Sequence, residues 1–457
     1  MAQRTVRRFL SLERRLLANP PLRSAYSEFI DEYQKLNHMK PVGEEMPSES
    51  SSTYYLPHHC VVRPDSITTK LRVVFDASCA TDTGISLNDV LMVGQVIHDL
   101  ISIILRFCMH RYAIISDVEK MYRQIKVHPA GHALQRILWR DDPSAPIQAY
   151  ESTTVTYGTS AAPYLATKCL QQLSRIGSST HFEAAAVVAK DFYMDDMISG
   201  VNNVEEGKEL CSQLLNLSNS AGFSLRKWSS NCPHILAHIP AELRDERTVL
   251  EFDSTTIVKT LGLKWEPASD KFGFLVPKWN TATVITKRIA LSDSARLYDP
   301  LGLVGPVIVL AKVFMQNLWR NKKDWDEPLE AELQQLWLQF REELAALDSL
   351  TVPRWALSVS DPISIEIHGF CDASEKAYGA CIYLRTVAAN RESVVRLLTS
   401  KSKIAPMGKR KREKKMCLPR LELSSALILS HLYQKVQNNL KTRMKSFFWT
   451  DSMIALH

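Results

Sequence analysis

Two aspartates stand side by side in KDFYMDDMISG, residues 190–200, between short apolar runs that read as the arms of a tight β-hairpin. A hairpin tip accepts Asp as a plain turn residue, because its short side chain bonds the turn backbone and tolerates unusual dihedral angles. Two neighbouring carboxylates aimed at one spot, however, repel, and each raises the other's pKa unless a cation lies between them. Asp195 and Asp196 are therefore candidate metal ligands, and an octahedral Mg²⁺ site would need further oxygen donors from elsewhere in the chain. The strand-like YAIISD supplies one, Asp117, where the last residue of a strand projects a carboxylate from the sheet edge. A second set has the same logic. Asp372 ends the first strand of EIHGFCDASEKAYGACIYL, Glu422 lies in the first turn of a helix begun by PRLELSSALILSHL, and Asp451 ends FFWTDS, read as a buried strand. Glu at a helix start is also favoured by the helix dipole, which competes with a metal reading of Glu422.

These acids need a scaffold. With 457 residues the chain exceeds one ordinary core, and about three domains of about 150 residues each are expected. Hydrophobic residues make up 45% and charged residues 23%, the balance of a soluble globular protein. The net charge of +7 fits a polyanionic partner without requiring one. Nine cysteines lie scattered with no C-x-x-C spacing, which indicates neither a zinc ribbon nor a disulfide framework and favours a reducing, intracellular setting. MAQRTVRRFLSLERRLL is basic but carries Glu13 and lacks the apolar core and cleavage site of a signal peptide. LGLVGPVIVLAKVF is broken by Gly305, Pro306 and Lys312 and is too short to span a bilayer, so no membrane partner is expected.

From Arg7 to Leu36 helical spacing is interrupted by NPPLRS, giving two helices with a Pro-marked break. KLRVVFDAS (70–78) and YAIISDVEKMYRQIKV (112–127) each hold a β-branched run ending at an acid, and SAAPYLATKCLQQLS (160–174) begins as a helix should. The hairpin, a helix at about 203–220, the Gly turn and strand of AGFSLRKWSS, and the strand VKTLGLKW follow. This order describes an α+β fold, a split antiparallel sheet with helices on one side. SARLYDPLGLVGP opens a helical stretch to Ser349, TVPRW marks a boundary, and strands return from ISIEIHGFCDAS.

Taken in order, the strand acid, the Gly-containing helix start and the Tyr-Met-Asp-Asp hairpin resemble the palm of reverse transcriptases from retroviruses and long-terminal-repeat retrotransposons. SARLYDPLGLVGP is typical of the Pao/BEL branch of retrotransposon polyproteins. The resemblance implies a right-hand polymerase: a helical entry segment at 1–46, fingers and palm at 54–265, a thumb or connection region at 266–352, and a ribonuclease H-like mixed α/β domain at 360–457. It implies RNA-directed DNA polymerase activity, with two Mg²⁺ or Mn²⁺ ions held by Asp117 and Asp195 and more peripherally by Asp196. Arg72 and Lys70 would meet the triphosphate, Tyr122 would stack beneath the sugar and exclude a 2′-hydroxyl, and Gly158 of TYGTSAAP would let the backbone approach the base pair. Lys227 of LRKW would stand near the nucleotide and Met194 against the primer. Tyr157 departs from the family's usual Gln or Phe.

Asp372, Glu422 and Asp451 resemble three acids of a ribonuclease H metal site, whose fourth acid and nearby His lie beyond this sequence. A C-terminally truncated domain with an exposed sheet edge and weak nuclease activity is the expectation. The implied partners are a primed RNA or DNA template, an RNA–DNA hybrid and deoxynucleoside triphosphates, in the cytoplasm, a virus-like particle or the nucleus. The alternatives are a decayed or co-opted copy that binds nucleic acid without catalysis, and an aspartic peptidase using Asp82 of TDTG. LPHHC (56–60) reads as strand-edge His and Cys, and KRKREKK (409–415) as a solvated basic insertion, a phosphate-contacting loop or a nuclear signal.

Overall fold

The structure is a computed structural model. It describes residues 2–43, 53–62, 71–94, 99–245, 250–252, 263–276, 279, 284–320, 324–407, 416–440 and 444–456. Lys70, residues 258–262 of VKTLGLKW and the basic run 409–415 lie outside the described residues. The chain divides into two compact units. One comprises Met1–Ile97, Asp117–Asp196 and Gln213–Leu225, the other His98–Ser116, Met197–Ser212 and Arg226–His457. The described residues are mixed α and β, and none of their helices is long and apolar enough to cross a membrane.

In the first unit, helices Ala2–Leu17 and Pro20–Lys35 are parted where Asn19 caps the second, its side chain accepting from the Leu22 amide at 3.3 Å. Pro at the first helical positions costs nothing there, because those amides have no partner within the helix. Phe9, Leu12 and Leu16 of one helix and Tyr26, Ile30 and Tyr33 of the other are buried at helical spacing. They form one core with the hairpin His58–Val62 and Leu71–Phe75 and with the sheet ordered Met39–Pro41, Gln148–Ser152, Arg136–Trp139. Glu13 faces inward and takes a two-pronged bond from Arg140, both at 2.8 Å. His58 begins a strand of a two-stranded sheet, as the edge reading has it, but its side chain is buried: it bonds the Tyr26 hydroxyl and the Leu138 carbonyl, and burial lowers its pKa to about 4. Beyond helix Ala162–Gly177 the chain forms a helix absent from the sequence reading, Phe182–Lys190, built from FEAAAVVAK.

Strands Phe192–Tyr193, Asp196–Val201, Tyr112–Val118 and Leu225–Ser230 lie side by side in that order. The segments that carry the candidate acids, Asp117–Val118 and Asp195–Asp196, belong to the first unit.

In the second unit, strands Leu250–Phe252, Leu263–Glu266, Lys271–Phe274 and Thr351–Pro353 form an antiparallel sheet. TVPRW closes that sheet and delivers Arg354, whose side chain is wholly buried. Its guanidinium bonds both Asp270 oxygens at 2.6 and 2.9 Å and the carbonyls of Phe107, His110 and Arg111. Helices Lys287–Ala295, Gly305–Arg320 and Ala331–Glu343 pack around Trp337, with Asp293 accepting from Trp337 and Arg341. The last sheet runs in the order Ser393–Ile404, Ala377–Val387, Ser364–Ala373, Lys445–Trp449, the final pair parallel, with helix Leu418–Asn439 against it. Lys445–Trp449 is not a buried strand. Phe447, Phe448 and Trp449 are 41%, 50% and 52% exposed, because among the described residues this strand has a neighbour on one side only.

Removing one member of a fully buried ion pair costs about 3–5 kcal/mol; here Asp270, the partner left behind, is partly exposed, which lowers that cost but leaves the buried carbonyls around Arg354 unpaired. Arg354→Met should therefore lower the urea midpoint of unfolding strongly, and a loss under about 1 kcal/mol would place the pair with ordinary surface contacts.

Candidate metal centres

Parallel register builds the tighter cluster. Phe370 pairs with Trp449, so two residues further along each strand Asp372 and Asp451 emerge side by side on one face. Glu422 comes from helix Leu418–Asn439. Pro419 near the helix start places it just past the first turn, which contains no acid, so the dipole explanation loses its footing. Asp372, Glu422 and Asp451 each offer an oxygen within 4.8 Å of the other two, the only such trio among the described residues. Burial raises the Glu422 pKa, and the charges of Asp372 and Asp451 raise it further. Glu422 Oε2 is buried with no hydrogen-bond partner among the described residues. An oxygen-only donor set with an orphaned carboxylate oxygen fits a hard divalent cation.

Asp372 and Asp451 of the trio line a groove of about 810 Å³. Phe370 and Trp449, stacked at 6.2 Å, line it beside the acids, together with Lys401. Another wall is Gly305 and Pro306, at the start of helix Gly305–Arg320. DPLGLVGP fixes that wall: Asp299 accepts from the Leu303 and Val304 amides at 2.9 and 2.7 Å, and the Leu301 carbonyl accepts from Thr399 Oγ1 and the Ser400 amide, both at 2.8 Å. Gly302 has φ +74°, and a Cβ there would lie 2.1 Å from the Ser400 carbonyl oxygen. Sequence reading missed these lining residues, since nothing local marks a loop as docked on a distant strand.

The other acids are arranged more loosely. Asp117 is the half-buried penultimate residue of Tyr112–Val118, and the next amide, of Val118, donates to the Asp195 carbonyl at 2.9 Å. This bond holds the hairpin tip beside the strand end. Met194 takes a left-handed conformation there, φ +60°; Asp195 is exposed, and Asp196, half-buried, begins Asp196–Val201. The three acids do not meet in a group as close as the first trio. Tyr122, in the short helix Met121–Gln124, has its phenol pushed up to about 12, by burial first and then by the charge of Asp195.

Arg72 is half-buried on Leu71–Phe75, opposite Val61. Gly158 has φ +95°, and a Cβ would lie 2.2 Å from the Phe75 carbonyl oxygen, so the structure requires glycine for packing against that strand. Lys227 lies in the second unit on Leu225–Ser230, with φ +53°. Asp82 is exposed on a turn closed by the Gly84 amide to the Thr81 carbonyl at 3.0 Å, not in a loop between apolar strands. Arg123, unremarked in the sequence, is buried among the rings of Tyr33, Phe75 and Tyr157 at 4.4, 5.4 and 5.0 Å.

Residues 286–452 match the family model of the Pao retrotransposon-like RNaseH-like domain. No curated protein matches the chain by sequence. Among solved structures, the foamy viral protease–reverse transcriptase dRH in complex with double-stranded DNA is similar, with a TM-score of 0.57 and 14% identity over 95% of this chain and 63% of that one. The foamy viral protease–reverse transcriptase in complex with an RNA/DNA hybrid is similar at a TM-score of 0.56 and 13% identity, over 96% of this chain and 49% of that one. The chain thus spans less than two thirds of the length of either, and the likeness is one of fold. Together, the matches give residues 286–452 a Pao retrotransposon-like RNaseH-like domain and show that the fold of the chain is similar to that of the foamy viral protease–reverse transcriptases.

Repulsion within the close trio has a readable consequence. A carboxyl whose pKa is raised on folding costs stability once pH exceeds its unfolded value. Glu422→Gln should therefore raise the melting temperature of the metal-free protein at pH 7. It should also cancel stabilisation by Mn²⁺, which for the wild type is about 2.7 kcal/mol at one hundred times Kd. A Mn²⁺-dependent shift unchanged in the variant would remove Glu422 from the ligand set.

Proposed function

We propose that the chain is the reverse-transcriptase portion of a retroelement polyprotein, an RNA-directed DNA polymerase that extends a primer 3′-hydroxyl on an RNA or DNA template. The observation that carries this reading is the bond from the Val118 amide to the Asp195 carbonyl, which sets the Asp117 strand end against the Asp195–Asp196 turn within reach of Tyr122. In this assignment residues 54–265 are fingers and palm, 266–352 thumb or connection, and 360–457 the ribonuclease H-like domain.

Asp117 and Asp195 would hold Mg²⁺ or Mn²⁺, with Asp196 at the periphery; when bound, such ions activate the attacking hydroxyl and neutralise the leaving pyrophosphate. Arg72 supplies positive charge for the triphosphate, with Lys70 beside it in sequence. Lys227 stands near the nucleotide, Met194 meets the primer and Tyr122 closes the sugar pocket. Gly158 shapes the turn that follows Tyr157. Asp372, Glu422 and Asp451 would hold a divalent metal at a second site, where it would supply the chemistry for cutting the RNA strand of a hybrid. The complexes with double-stranded DNA and RNA/DNA hybrid formed by the foamy viral proteins support these partners.

A chain that binds nucleic acid without catalysis has one observation in its favour, the looser grouping of Asp117, Asp195 and Asp196. Primer extension on poly-rA decides between the two. The wild type should extend with Mg²⁺ and fail without it, and Asp195→Asn should reduce extension by at least about 10³-fold, a change of about 4 kcal/mol in barrier, with template binding nearly intact. Equal extension by wild type and variant would reject the assignment. Tyr122→Ala should raise ribonucleotide incorporation relative to deoxynucleotide about tenfold or more, some 1.4 kcal/mol of discrimination. An unmoved ratio makes Tyr122 a packing residue.

A further inference from the structure

Helix Ala2–Leu17 carries five arginines and one glutamate, a concentration of charge in a chain whose net charge is only +7. Its apolar face is already in use, since Phe9, Leu12 and Leu16 are buried in the core of the first unit. Glu13 is turned inward onto Arg140. The solvent face therefore shows Arg4, Arg7, Arg8, Arg14 and Arg15, all exposed, with no acid from the helix among them. Arg7, Arg14 and Arg15 make no ion pair with any described residue. Arg14 Nε reaches only the Leu10 carbonyl of its own helix, at 3.3 Å, and Arg15 only the Cys60 sulfur, at 3.8 Å. A solvated helix face is the ordinary outcome for scattered charges, and such faces usually mix signs; this helix adds no acid of its own to the face, and the acids near it, Asp76 at Arg8 and Asp82 at Arg4, come from another segment and leave Arg7, Arg14 and Arg15 without one.

Two further features give the row a place. A cavity of about 350 Å³ lies between the helix and the hairpin, lined by Arg8, Ser11, Arg15, His59 and Asp76. Asp76 neutralises Arg8 at 2.6 Å, which leaves Arg15 as the cavity's unpaired cation, with His59 beside it. The row is also tied to the proposed polymerase site: Arg4 donates to the Ala80 carbonyl at 3.0 Å, Asn88 donates to Ser78 Oγ at 2.9 Å, and the same Asn88 side chain donates to the Gly158 carbonyl at 3.2 Å. The segment from Asp76 to Asn88 thus links the arginine helix to the turn proposed to meet the template.

We propose that the outward arginine row of Ala2–Leu17 is a track for the phosphates of single-stranded template ahead of the polymerase site. This rests on the polymerase reading above. A helix of this length is about 24 Å long, matching about seven phosphates of a stacked strand at about 3.4 Å each. Guanidinium groups suit phosphate geometry, and a row without base-reading side chains grips any sequence alike.

The test measures fluorescence anisotropy of the full chain with primer–template duplexes that are blunt or carry a 5′ template overhang of about ten nucleotides, within the range one single-strand site covers. For the wild type the overhang should strengthen binding and steepen the salt dependence. The combined variant Arg7→Gln, Arg14→Gln and Arg15→Gln should lose about tenfold or more of the overhang-dependent affinity, with the slope falling by about 2, near 0.7 for each phosphate released. Blunt-duplex binding should stay the same, and Lys at all three positions should restore most of the loss. An overhang gain that survives in the Gln variant, or a loss equal on blunt and overhang duplexes, overturns the proposal. If the wild type neither extends a primer nor binds duplex, the polymerase reading fails. A single-stranded oligonucleotide alone then decides the track: binding lost in the Gln variant supports it, and binding unchanged overturns it.

Discussion

Carboxylates that repel one another stay together only if something stiffer than their repulsion holds them. Two unit charges 4 Å apart repel by about 1 kcal/mol in water and by about 4 kcal/mol at an effective dielectric of 20, enough to splay flexible side chains. In this chain the restraint is backbone pairing. The parallel register of Ser364–Ala373 with Lys445–Trp449 fixes Asp372 beside Asp451, and the packed helix Leu418–Asn439 brings Glu422 to them. Where the restraint is a hairpin tip, as at Asp195, the backbone is held but the side chain is exposed, and the acids stand further apart. The difference between the two centres is a difference in how much regular structure surrounds each acid.

Buried cations complete the scaffold. Arg354 joins the carbonyls at and after the end of helix Leu100–Phe107 to Asp270, and Arg341 bonds Asp293 across two helices. Each charge is matched by a carboxylate, which is the condition for burying it. Arg123 follows a different rule, with three aromatic rings around it and a bond to Thr154 at 3.4 Å. The negative faces of the rings supply part of what a carboxylate would. Phe75 and Tyr157 also touch each other, and Gly158 packs on the Phe75 carbonyl, so the turn after Tyr157 is built around the same buried cation.

The strand-end acids were legible because a β-branched run stopping at Asp is a local pattern: Asp117 and Asp372 lie near the ends of strands, and Asp451 just after one. The two entry helices and their break could be read from spacing and from NPP for the same reason. What escaped depends on distant neighbours. FFW has the composition of a core strand, yet its exposure is set by whether another strand lies beyond it. His58 is on an edge strand, but that its side chain is enclosed by Tyr26 and Leu138 is not marked locally. Arg354 and Arg123 carry no local mark of burial, since a long cationic side chain reads as surface until its partners are known. Glu422 reads one residue too early in its helix, because helix starts are the least certain feature of a pattern.

The extent of the family match, which begins at the first of the helices and ends just past the last strand of the sheet, has a physical basis. A sheet edge exposes unpaired amides and carbonyls and is normally covered. Ser393–Ile404 is such an edge, and the loop at Leu301–Gly302 covers it, pairing with Thr399 and Ser400 while Gln316 bonds the Ala405 carbonyl at 2.7 Å. The helices are therefore part of the sheet's own closure. Only glycine fits at 302 against that strand, so the loop has one way to dock, and docking sets Gly305 and Pro306 on the wall of the groove beside Asp372. The segment that protects the sheet edge is thereby the segment that bounds access to the metal-ready acids, and a change in its length would alter stability and access together.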